Sequence, residues 1–203
     1  MNRAALGFRS HSGWATLVAV GGPVQDPAVV LRRRIELSRE TPRQPFHAAE
    51  GRPFKEAEAL ILRATTEARS LASRALREAV EDVSRAGKEA RTCGLLIAAG
   101  RPLPGLAAVL ASHALIHAAE GELFREALRE GSRKSGLAVV EVKERDAFDR
   151  AASTLGLPAS ALKRRIDQWG RPLGPPWRQD EKLGALVAWL ALASEPTAGL
   201  RRE

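Results

Sequence analysis

Two histidines and a glutamate fall on one side of a predicted helix. Between residues 105 and 131 the sequence places His113, His117 and Glu120 at intervals of four and three residues. At about 100° per residue, these side chains lie within about 60° of one another on the helix surface. Imidazole and carboxylate groups at this spacing can bind one divalent metal ion, zinc or magnesium, or act as a general acid and base. All three residues are therefore candidate catalytic residues and candidate metal ligands.

The same trio has a purely structural explanation. It interrupts an apolar stripe that should be buried and that contains Leu106, Leu110 and Phe124. Burying a polar group without a partner costs about 2–7 kcal/mol on apolar transfer scales. The alternative is therefore a polar cluster in which the imidazoles hydrogen-bond to backbone carbonyls, a tryptophan or Arg9.

Further residues suited to chemistry follow predicted strands or begin the last predicted helix. His11 follows the first strand, His47 follows the third, and Asp180 begins the closing helix. Ligand sites in open α/β sheets lie beyond the C-terminal ends of the strands, so all four histidines are expected to converge on one cleft. His11 and Asp180 are the other two candidate catalytic residues. The candidate ligand-binding residues are Arg9, Ser10, His47, Glu50 and Trp177.

The elements that must position these residues alternate between strands and helices. The stretch LGFRSHSGWATLVAV (6–20) predicts a hairpin with a tight polar turn, and a third strand completes a β-meander within residues 1–38. Apolar residues that recur every three or four positions predict helices, and short apolar runs predict strands. The later predicted elements are a helix over 54–86, a strand over 92–100, a helix over 105–131, a strand over 136–146 and helices within 147–194.

This order of elements predicts a single α/β domain over residues 1–203. Three strands joined by short turns form an antiparallel meander, and two later strands, each reached across a helix, lie parallel to the first. The expected architecture is an open five-stranded mixed sheet with helices on both faces. It resembles the ribonuclease H-like fold, and within it the RuvC-type Holliday-junction resolvases. In these the closing helix also begins near an acidic residue, as in RQDEKLGALVAWLAL here.

The resemblance implies a nucleic-acid partner and two magnesium ions held by carboxylates, but most of those carboxylates are missing. The first-strand position falls on Arg9, or on Ser10 if the turn is shifted by one residue, and the fourth strand ends with Ala98, Ala99 and Gly100. Only Asp180, with Glu181 beside it, lies near where the closing helix should supply a ligand, and that position could equally align with Leu183. A guanidinium repels a metal cation and cannot be neutralised by losing its proton. The usual two-magnesium site is therefore not expected.

The charge balance permits an anionic partner without requiring one. The chain has 32 Lys and Arg against 24 Asp and Glu, which gives a net charge of +8. Such a surface can contact nucleic acid or a small phosphate-containing ligand. The basic residues are spread along the chain, however, and the abundance of alanine, leucine, arginine and glycine also fits a GC-rich genome or a thermophile.

The single cysteine, the length of the apolar runs and the first residues of the chain bear on the cellular compartment of the protein. Cys93 is the only cysteine and lies in an apolar run, so we expect a buried, inert thiol. No apolar run approaches the roughly 20 residues of a membrane-spanning helix, and the first residues lack the pattern of a signal peptide. We therefore expect a soluble, cytoplasmic protein with no membrane partner.

Three functions remain open from the sequence. The leading one is an atypical nuclease or phosphoester hydrolase in which Arg9 holds an anionic oxygen, a histidine acts as general acid or base, and Glu120 or Asp180 orients it. The alternative is a catalytically inactive relative that serves as a binding or dimer-forming module, with a homodimer as its expected assembly. The third is an enzyme that acts on a nucleotide or sugar phosphate.

Overall fold

The structure of the protein is a computed structural model that describes residues 3–98, 100 and 102–194. Its strands are β1 (Arg3–His11), β2 (Trp14–Gly21), β3 (Ala28–Glu36), β4 (Glu89–Ile97) and β5 (Ala138–Lys143). Its helices are α1 (Pro45–Ala49), α2 (Phe54–Arg85), α3 (Leu106–Leu110), α4 (His113–Lys134), α5 (Ala147–Leu155), α6 (Ala159–Gly170) and α7 (Gln179–Ser194). A 3₁₀ turn, Glu144–Asp146, joins β5 to α5.

The strands form one mixed sheet in the order β3-β2-β1-β4-β5. β1, β2 and β3 make an antiparallel meander, while β4 pairs in parallel with β1 and β5 pairs in parallel with β4. Parallel neighbours require a crossover connection, and helices supply it before β4 and β5. The predicted five-stranded mixed sheet is confirmed.

The β1–β2 hairpin turns between the paired residues His11 and Trp14. Gly13 in this turn has a φ of 81°, a left-handed conformation that side chains other than glycine disfavour. A Cβ atom on Gly13 would also lie 2.6 Å from Cγ of Arg43. The glycine therefore fixes the turn, and the turn places His11 at the end of β1.

Two helical layers cover the sheet. On one face, α2 and α4 pack against alternate residues of β1, including Leu6 and Phe8. On the other face, α7 packs against Ala5 and its neighbours, with α5 and α6 outside it. Every residue of α7 from 183 to 192 is buried. A helix that is apolar on all sides needs cover on all sides, and the sheet and two outer helices provide it.

Two glycines bring α7 directly onto the sheet. Gly7 of β1 and Gly94 of β4 are register partners. A Cβ atom on Gly7 would lie 2.0 Å from the carbonyl oxygen of Gly184, and one on Gly94 would lie 2.2 Å from that of Val187. The backbone of α7 therefore occupies the space that side chains would otherwise fill. This contact determines where the first turn of α7, which contains Asp180, lies relative to β1.

Several element boundaries differ from the predicted ones. β4 starts and ends three residues earlier than predicted, and β5 is shorter. The predicted helix 105–131 is divided into α3 and α4, because Ser112 is extended and its carbonyl accepts the N–H groups of Leu115 and Ile116 that begin α4. The predicted loop after β3 contains α1, and Pro45 was the available signal because proline favours the first turn of a helix.

The expected buried thiol is confirmed. Cys93 lies on β4 with no exposed surface. Burial raises the pKa of its thiol to about 11, so the group is protonated and unreactive at neutral pH. Among the described helices, none has the length and apolar character needed to cross a bilayer. The predicted domain also included residues 195–203, which lie outside the described residues.

Candidate functional site

The predicted site residues form two groups near one edge of the sheet, where the C-terminal ends of β1, β4 and β5 meet. The arginine cluster consists of Arg9, His11, Glu144 and Asp180. The histidine cluster consists of His47, His113, His117 and Glu120. Within the described residues, no hydrogen bond, ion pair or ring contact joins the two clusters. Alternation along β1 separates them, since Phe8 packs toward α2 and α4 whereas Arg9 meets Asp180 of α7.

Arg9 is held between two carboxylates. Its Nε and Nη2 atoms donate hydrogen bonds to the two carboxylate oxygens of Glu144 at 3.2 and 2.9 Å, and its Nη1 donates to Asp180. The pairing with Glu144 uses the planar fork of a guanidinium, which lysine lacks. The Arg9 side chain is only 20% exposed, so these pairs are less screened than ordinary surface ion pairs.

The surrounding charges keep Arg9 ionised. Burial acts to lower the pKa of Arg9, but the hydrogen bonds and charges of Glu144 and Asp180 outweigh burial and raise that pKa above its ordinary value. Arg9 therefore remains charged at neutral pH, and its guanidinium attracts both acidic side chains. The arginine cluster is an internally compensated ionic group.

His11 lies beside this ionic group at the end of β1. Its Nε2 atom is 3.2 Å from Oδ1 of Asp180, although the two atoms are not aligned for a hydrogen bond. The imidazole stacks on Trp14, with ring centroids 4.2 Å apart and an angle of 13° between the planes. The guanidinium of Arg34 lies 4.0 Å from the centroid of the Trp14 ring. His11 is therefore held by ring stacking as well as by the nearby carboxylate.

The residues of the arginine cluster do not fit the two-magnesium site that the resemblance implied. The guanidinium of Arg9 lies at the end of β1, where the resemblance implied a carboxylate. The two nearby carboxylates, Glu144 and Asp180, already neutralise that guanidinium. A divalent cation there would face the fixed positive charge of Arg9, whereas magnesium requires free oxygen ligands.

Three imidazoles meet where α1 packs against α4. His113 and His117 lie one turn apart at the start of α4, and their Nε2 atoms are 3.1 Å apart. The His47 ring on α1 has its centroid 4.6 Å from that of His117 and 5.4 Å from that of His113. The buried neighbours Phe46 and Ala49 fix α1 in this position. One ligand nitrogen from each ring lies within 4.8 Å of the other two.

Glu120 is the buried member of the histidine cluster, with 3% of its surface exposed. Its Oε1 atom accepts hydrogen bonds from the backbone N–H and from Nδ1 of His47, both at 3.0 Å. Its Oε2 atom has no hydrogen-bond partner among the described residues. Burial raises the pKa of Glu120 despite the hydrogen bonds and charge of His47, because the carboxylate loses its hydration. Glu120 therefore orients His47 from inside the protein.

The structure groups the residues of α4 differently from the predicted trio. His113 and His117 are exposed, whereas Glu120 is buried. α4 begins at His113, and its buried residues begin only at Ile116, so the two histidines lie at the open end of the helix. The group that could hold a metal ion contains His47 in place of Glu120. Three of the four histidines are in mutual contact, and His11 belongs to the other cluster.

The remaining predicted residues have different surroundings. Ser10 alternates with its neighbours along β1 and so faces the layer of α2 and α4. Glu50 places its Oε1 atom 3.7 Å from Nδ1 of His113, at the rim of the histidine cluster. Trp177 donates a hydrogen bond from Nε1 to the carbonyl of Ile166 at 2.9 Å and packs closely on Gly170. Trp177 thus anchors the loop before α7.

Glu144 was absent from the predicted site. It directly follows β5, whose C-terminal end shares the sheet edge with those of β1 and β4. An acidic residue after a strand parallel to β1 was a usable signal in the stretch VEVKERD. The predicted strand ran to residue 146, however, so Glu144 counted as part of the strand and not as a residue beyond its end.

Comparison with known proteins identifies the fold. No protein-family model matches the sequence, and no curated protein sequence matches it. The structure of T. thermophilus RuvC in complex with a Holliday junction substrate matches with a TM-score of 0.55 and 8% identity, over 92% of this chain and 90% of that one. A second Thermus thermophilus RuvC structure matches with a TM-score of 0.50 and 9% identity, over 92% and 91%. The chain has a RuvC/RNase H-like fold.

α7 determines the position of the arginine cluster. Its close contacts with Gly7 and Gly94 bring its first turn beside the end of β1. At 8–9% identity the likeness extends to the fold alone. The chemistry of this chain must therefore be argued from its own clusters and surfaces.

Proposed function

We propose that this protein is a nucleic-acid-binding protein of RuvC-like fold in which the arginine cluster stands in place of a two-metal cleavage site. A RuvC structure with a similar fold was solved with a Holliday junction substrate, and the net charge of this chain is +8. These facts favour a polyanionic partner. The observation that carries the proposal is a groove with arginines that are not neutralised.

This groove runs between α2 and the edge strand β3. It consists of two adjoining compartments of about 660 and 330 Å³ that share Arg39 and Arg74. The part of α2 that lines it, from Leu62 to Glu78, is about 24 Å long at 1.5 Å per residue, which is enough to follow several phosphates of a nucleic-acid backbone. The arginines that line it are Arg33, Arg34, Arg39, Arg63 and Arg74.

Three of the four glutamates in the groove are already engaged. Glu67 accepts the backbone N–H groups of residues 39–41. Glu36 and Glu78 each lie within ion-pair distance of an arginine of β3. Among the described residues, Glu40 is the only one of these four glutamates whose side chain has neither kind of partner. The lining thus has five arginines and four glutamates, and the described ion pairs of these arginines involve only Arg33 and Arg34.

Arg39, Arg63 and Arg74 are available for anions. All three are exposed, and within the described part of the chain none of their side chains has an ion-pair partner. Contacts between arginine and phosphate supply most of the sequence-independent affinity for nucleic acids. The groove therefore favours recognition of the sugar-phosphate backbone over reading of bases.

Fluorescence anisotropy with a labelled DNA duplex and a labelled four-way junction tests the proposal. We expect binding that weakens steeply between about 50 and 200 mM salt, because bound counterions are released. The triple variant Arg39→Ala/Arg63→Ala/Arg74→Ala should bind about tenfold more weakly or worse, with a salt slope reduced by about 1 for each lost phosphate contact.

A matched triple variant controls for the loss of charge. Arg145→Ala/Arg164→Ala/Arg171→Ala removes the same charge from exposed positions outside the groove, and it should keep most of the affinity. An equal loss in both triples would contradict the groove assignment, and wild-type protein without salt-dependent binding would contradict the function. Magnesium-dependent cleavage of the junction would contradict the replacement of the cleavage site.

Phosphoester hydrolysis is a second candidate function, favoured by the histidine cluster. Its imidazoles are general acid–base groups at an accessible position, beside a carboxylate that orients one of them. A small phosphate-containing ligand would be the substrate. Turnover of bis(p-nitrophenyl) phosphate that is lost in His117→Ala, with unchanged circular dichroism, would support it. Absent turnover, or turnover that the variant retains, would exclude it.

The assembly and the location of the protein stay predictions. The expected homodimer can be tested by size-exclusion chromatography with light scattering, where a monomeric mass would contradict it. The expected cytoplasmic location rests on the sequence pattern alone and can be tested by fractionation of cells that express the protein.

A further inference from the structure

We propose that His47, His113 and His117 bind a single transition-metal ion, with zinc as the expected metal. This inference goes beyond nucleic-acid binding and does not depend on it. It rests on the positions of three imidazoles from two helices, the hydrogen bonding that orients one of them, and their access to solvent. Nothing in the groove of arginines contributes to it.

The spacing of the imidazoles suits one ion. Zinc binds imidazole nitrogen at about 2.0–2.1 Å, so two ligand nitrogens of a tetrahedral site lie about 3.3 Å apart. The Nε2 atoms of His113 and His117 are 3.1 Å apart, close to that separation. A ligand nitrogen of His47 lies within 4.8 Å of the other two. Binding of one ion by all three rings would bring these nitrogens from within 4.8 Å to about 3.3 Å of one another.

The backbone holds these rings near one another before any ion binds. His113 and His117 are four residues apart in α4, which places them one above the other on the helix surface. His47 follows Phe46 and precedes the buried Ala49 in α1, so core packing fixes the segment that presents it. The site therefore needs no large rearrangement, which lowers the entropic cost of ordering its ligands.

A buried carboxylate selects the free nitrogen of His47. Nδ1 of His47 donates to Oε1 of Glu120, which also accepts the His47 backbone N–H. The lone pair of this imidazole is then on Nε2. Histidines that bind metals typically donate their other N–H to a carboxylate or carbonyl, which fixes tautomer and ring orientation. Glu50, 3.7 Å from Nδ1 of His113, lies near a second ring at the exposed rim.

The exposure of the histidines and the chemistry of their imidazole ligands indicate which metal ion the cluster would bind. The His113 side chain is 64% exposed and His117 is also exposed, so an ion can reach the cluster from solvent. Imidazole ligands suit zinc, copper, nickel and iron, whereas magnesium prefers oxygen ligands. Three protein ligands leave a coordination position for water, as in catalytic zinc sites. The structure therefore favours an open zinc site over a closed structural one.

A histidine cluster joined only by hydrogen bonds is the competing explanation. One hydrogen bond between His113 and His117 would account for their 3.1 Å separation. It would not account for the third imidazole, whose Nδ1 is bonded to Glu120 and whose other nitrogen has no hydrogen bond to any described residue. Zinc binding distinguishes the two explanations directly, because a hydrogen-bonded cluster has no fixed metal stoichiometry.

The test uses the full-length protein, stripped with a chelator and titrated with zinc chloride by isothermal calorimetry. We expect about one zinc ion per chain, a zinc-dependent rise in Tm, and a visible absorption band when cobalt replaces zinc. His117→Ala should remove the stoichiometric binding, the Tm response and the cobalt spectrum together. His117 is exposed, and circular dichroism of the variant should match that of the wild type.

Two further variants separate the roles of the residues. Glu120→Gln keeps an oxygen acceptor for His47 but removes the charge, and it should weaken zinc binding by about 10–100-fold without abolishing it. His11→Ala is the matched control, since it removes a histidine that lies outside the cluster, and zinc binding should be unchanged. Wild-type protein without stoichiometric zinc, or His117→Ala that retains it, would overturn the proposal. Displacement of zinc by magnesium alone would overturn the assignment of the metal class.

Discussion

The arginine cluster and the histidine cluster differ in whether their polar groups are already paired within the protein. In the first, the carboxylates of Glu144 and Asp180 form ion pairs with Arg9 at the edge of the sheet. In the second, the exposed imidazoles of His113 and His117 and the half-buried imidazole of His47 face one another. The same edge of the sheet therefore has one cluster whose charges are paired internally, the arginine cluster, and one cluster that a ligand can reach, the histidine cluster.

The two clusters also differ in which of their side chains are buried. In the arginine cluster the charged groups are partly shielded and fully paired, so the side chains have little freedom. In the histidine cluster only Glu120 is buried, and the groups nearest to solvent are those that could bind an ion. Substitutions should therefore affect stability in the first cluster and ligand binding in the second.

The largest effect is expected from Gly94→Ala. The added methyl group would lie 2.2 Å from the carbonyl oxygen of Val187, so α7 must shift away from the sheet. We expect a loss of about 3 kcal/mol or more in the free energy of unfolding, measured by urea denaturation, because overpacking against backbone cannot relax locally. Gly105→Ala is the control, since a Cβ atom there has no neighbour within 4 Å. Equal stability of the two variants would contradict the close contact of α7 with the sheet.

Arg9→Ala should have the next largest effect. It leaves Glu144 and Asp180 without their shared cation, and we expect destabilisation by about 2 kcal/mol in urea, discounted for the partial exposure of the carboxylates. Arg145→Ala, at an exposed position beside Glu144, should change stability by less than about 0.5 kcal/mol.

Arg9→Asp tests the same difference, because it replaces the only arginine of the arginine cluster with a third carboxylate. Three carboxylates would then meet at the sheet edge, a set of oxygen ligands that suits magnesium. The Tm of this variant should be low in chelator and should rise with added magnesium, while the Tm of the wild type should not respond. A variant that magnesium does not stabilise would show that the edge lacks the geometry of a metal site.

The smallest effect is expected at Glu67, a carboxylate whose partners are mainly backbone groups. Burial acts to raise the pKa of Glu67, but hydrogen bonds from Thr41 and from the backbone of residues 39–41 lower it below its ordinary value of 4.5. A carboxyl pKa that is lower in the folded state stabilises the protein above pH 4.5, and this stabilisation is lost as the pH falls through the folded-state pKa. Glu67→Gln should therefore cost about 1 kcal/mol at neutral pH.

The pH dependence provides the control for that substitution. The difference in Tm between wild type and Glu67→Gln should shrink as the pH falls below 4.5, because the wild-type carboxyl becomes neutral as well. A difference that stays constant with pH would show that Glu67 acts through packing and not through its charge.

The sequence alone predicted the architecture, Arg9 of the arginine cluster, and the pair His113 and His117 of the histidine cluster. The hairpin with Gly13, the regular apolar spacing of α2 and the short apolar strands defined the mixed sheet, because periodicity reports which side of each element is buried. The spacing of four residues along one helix paired His113 with His117. Arg9 in place of a metal ligand was implied by the resemblance to the RuvC-type resolvases.

Only the tertiary structure decided which residues meet across elements. The close contact of α7 with Gly7 and Gly94 brings Asp180 to Arg9, and the true end of β5 brings Glu144 to the same side chain. The packing of α1 brings His47 to α4, where it takes the place predicted for Glu120. Such contacts depend on backbone approach distances and on the ends of strands. Periodicity in one element carries no information about either, because it describes the direction of a side chain and not the neighbour that it reaches.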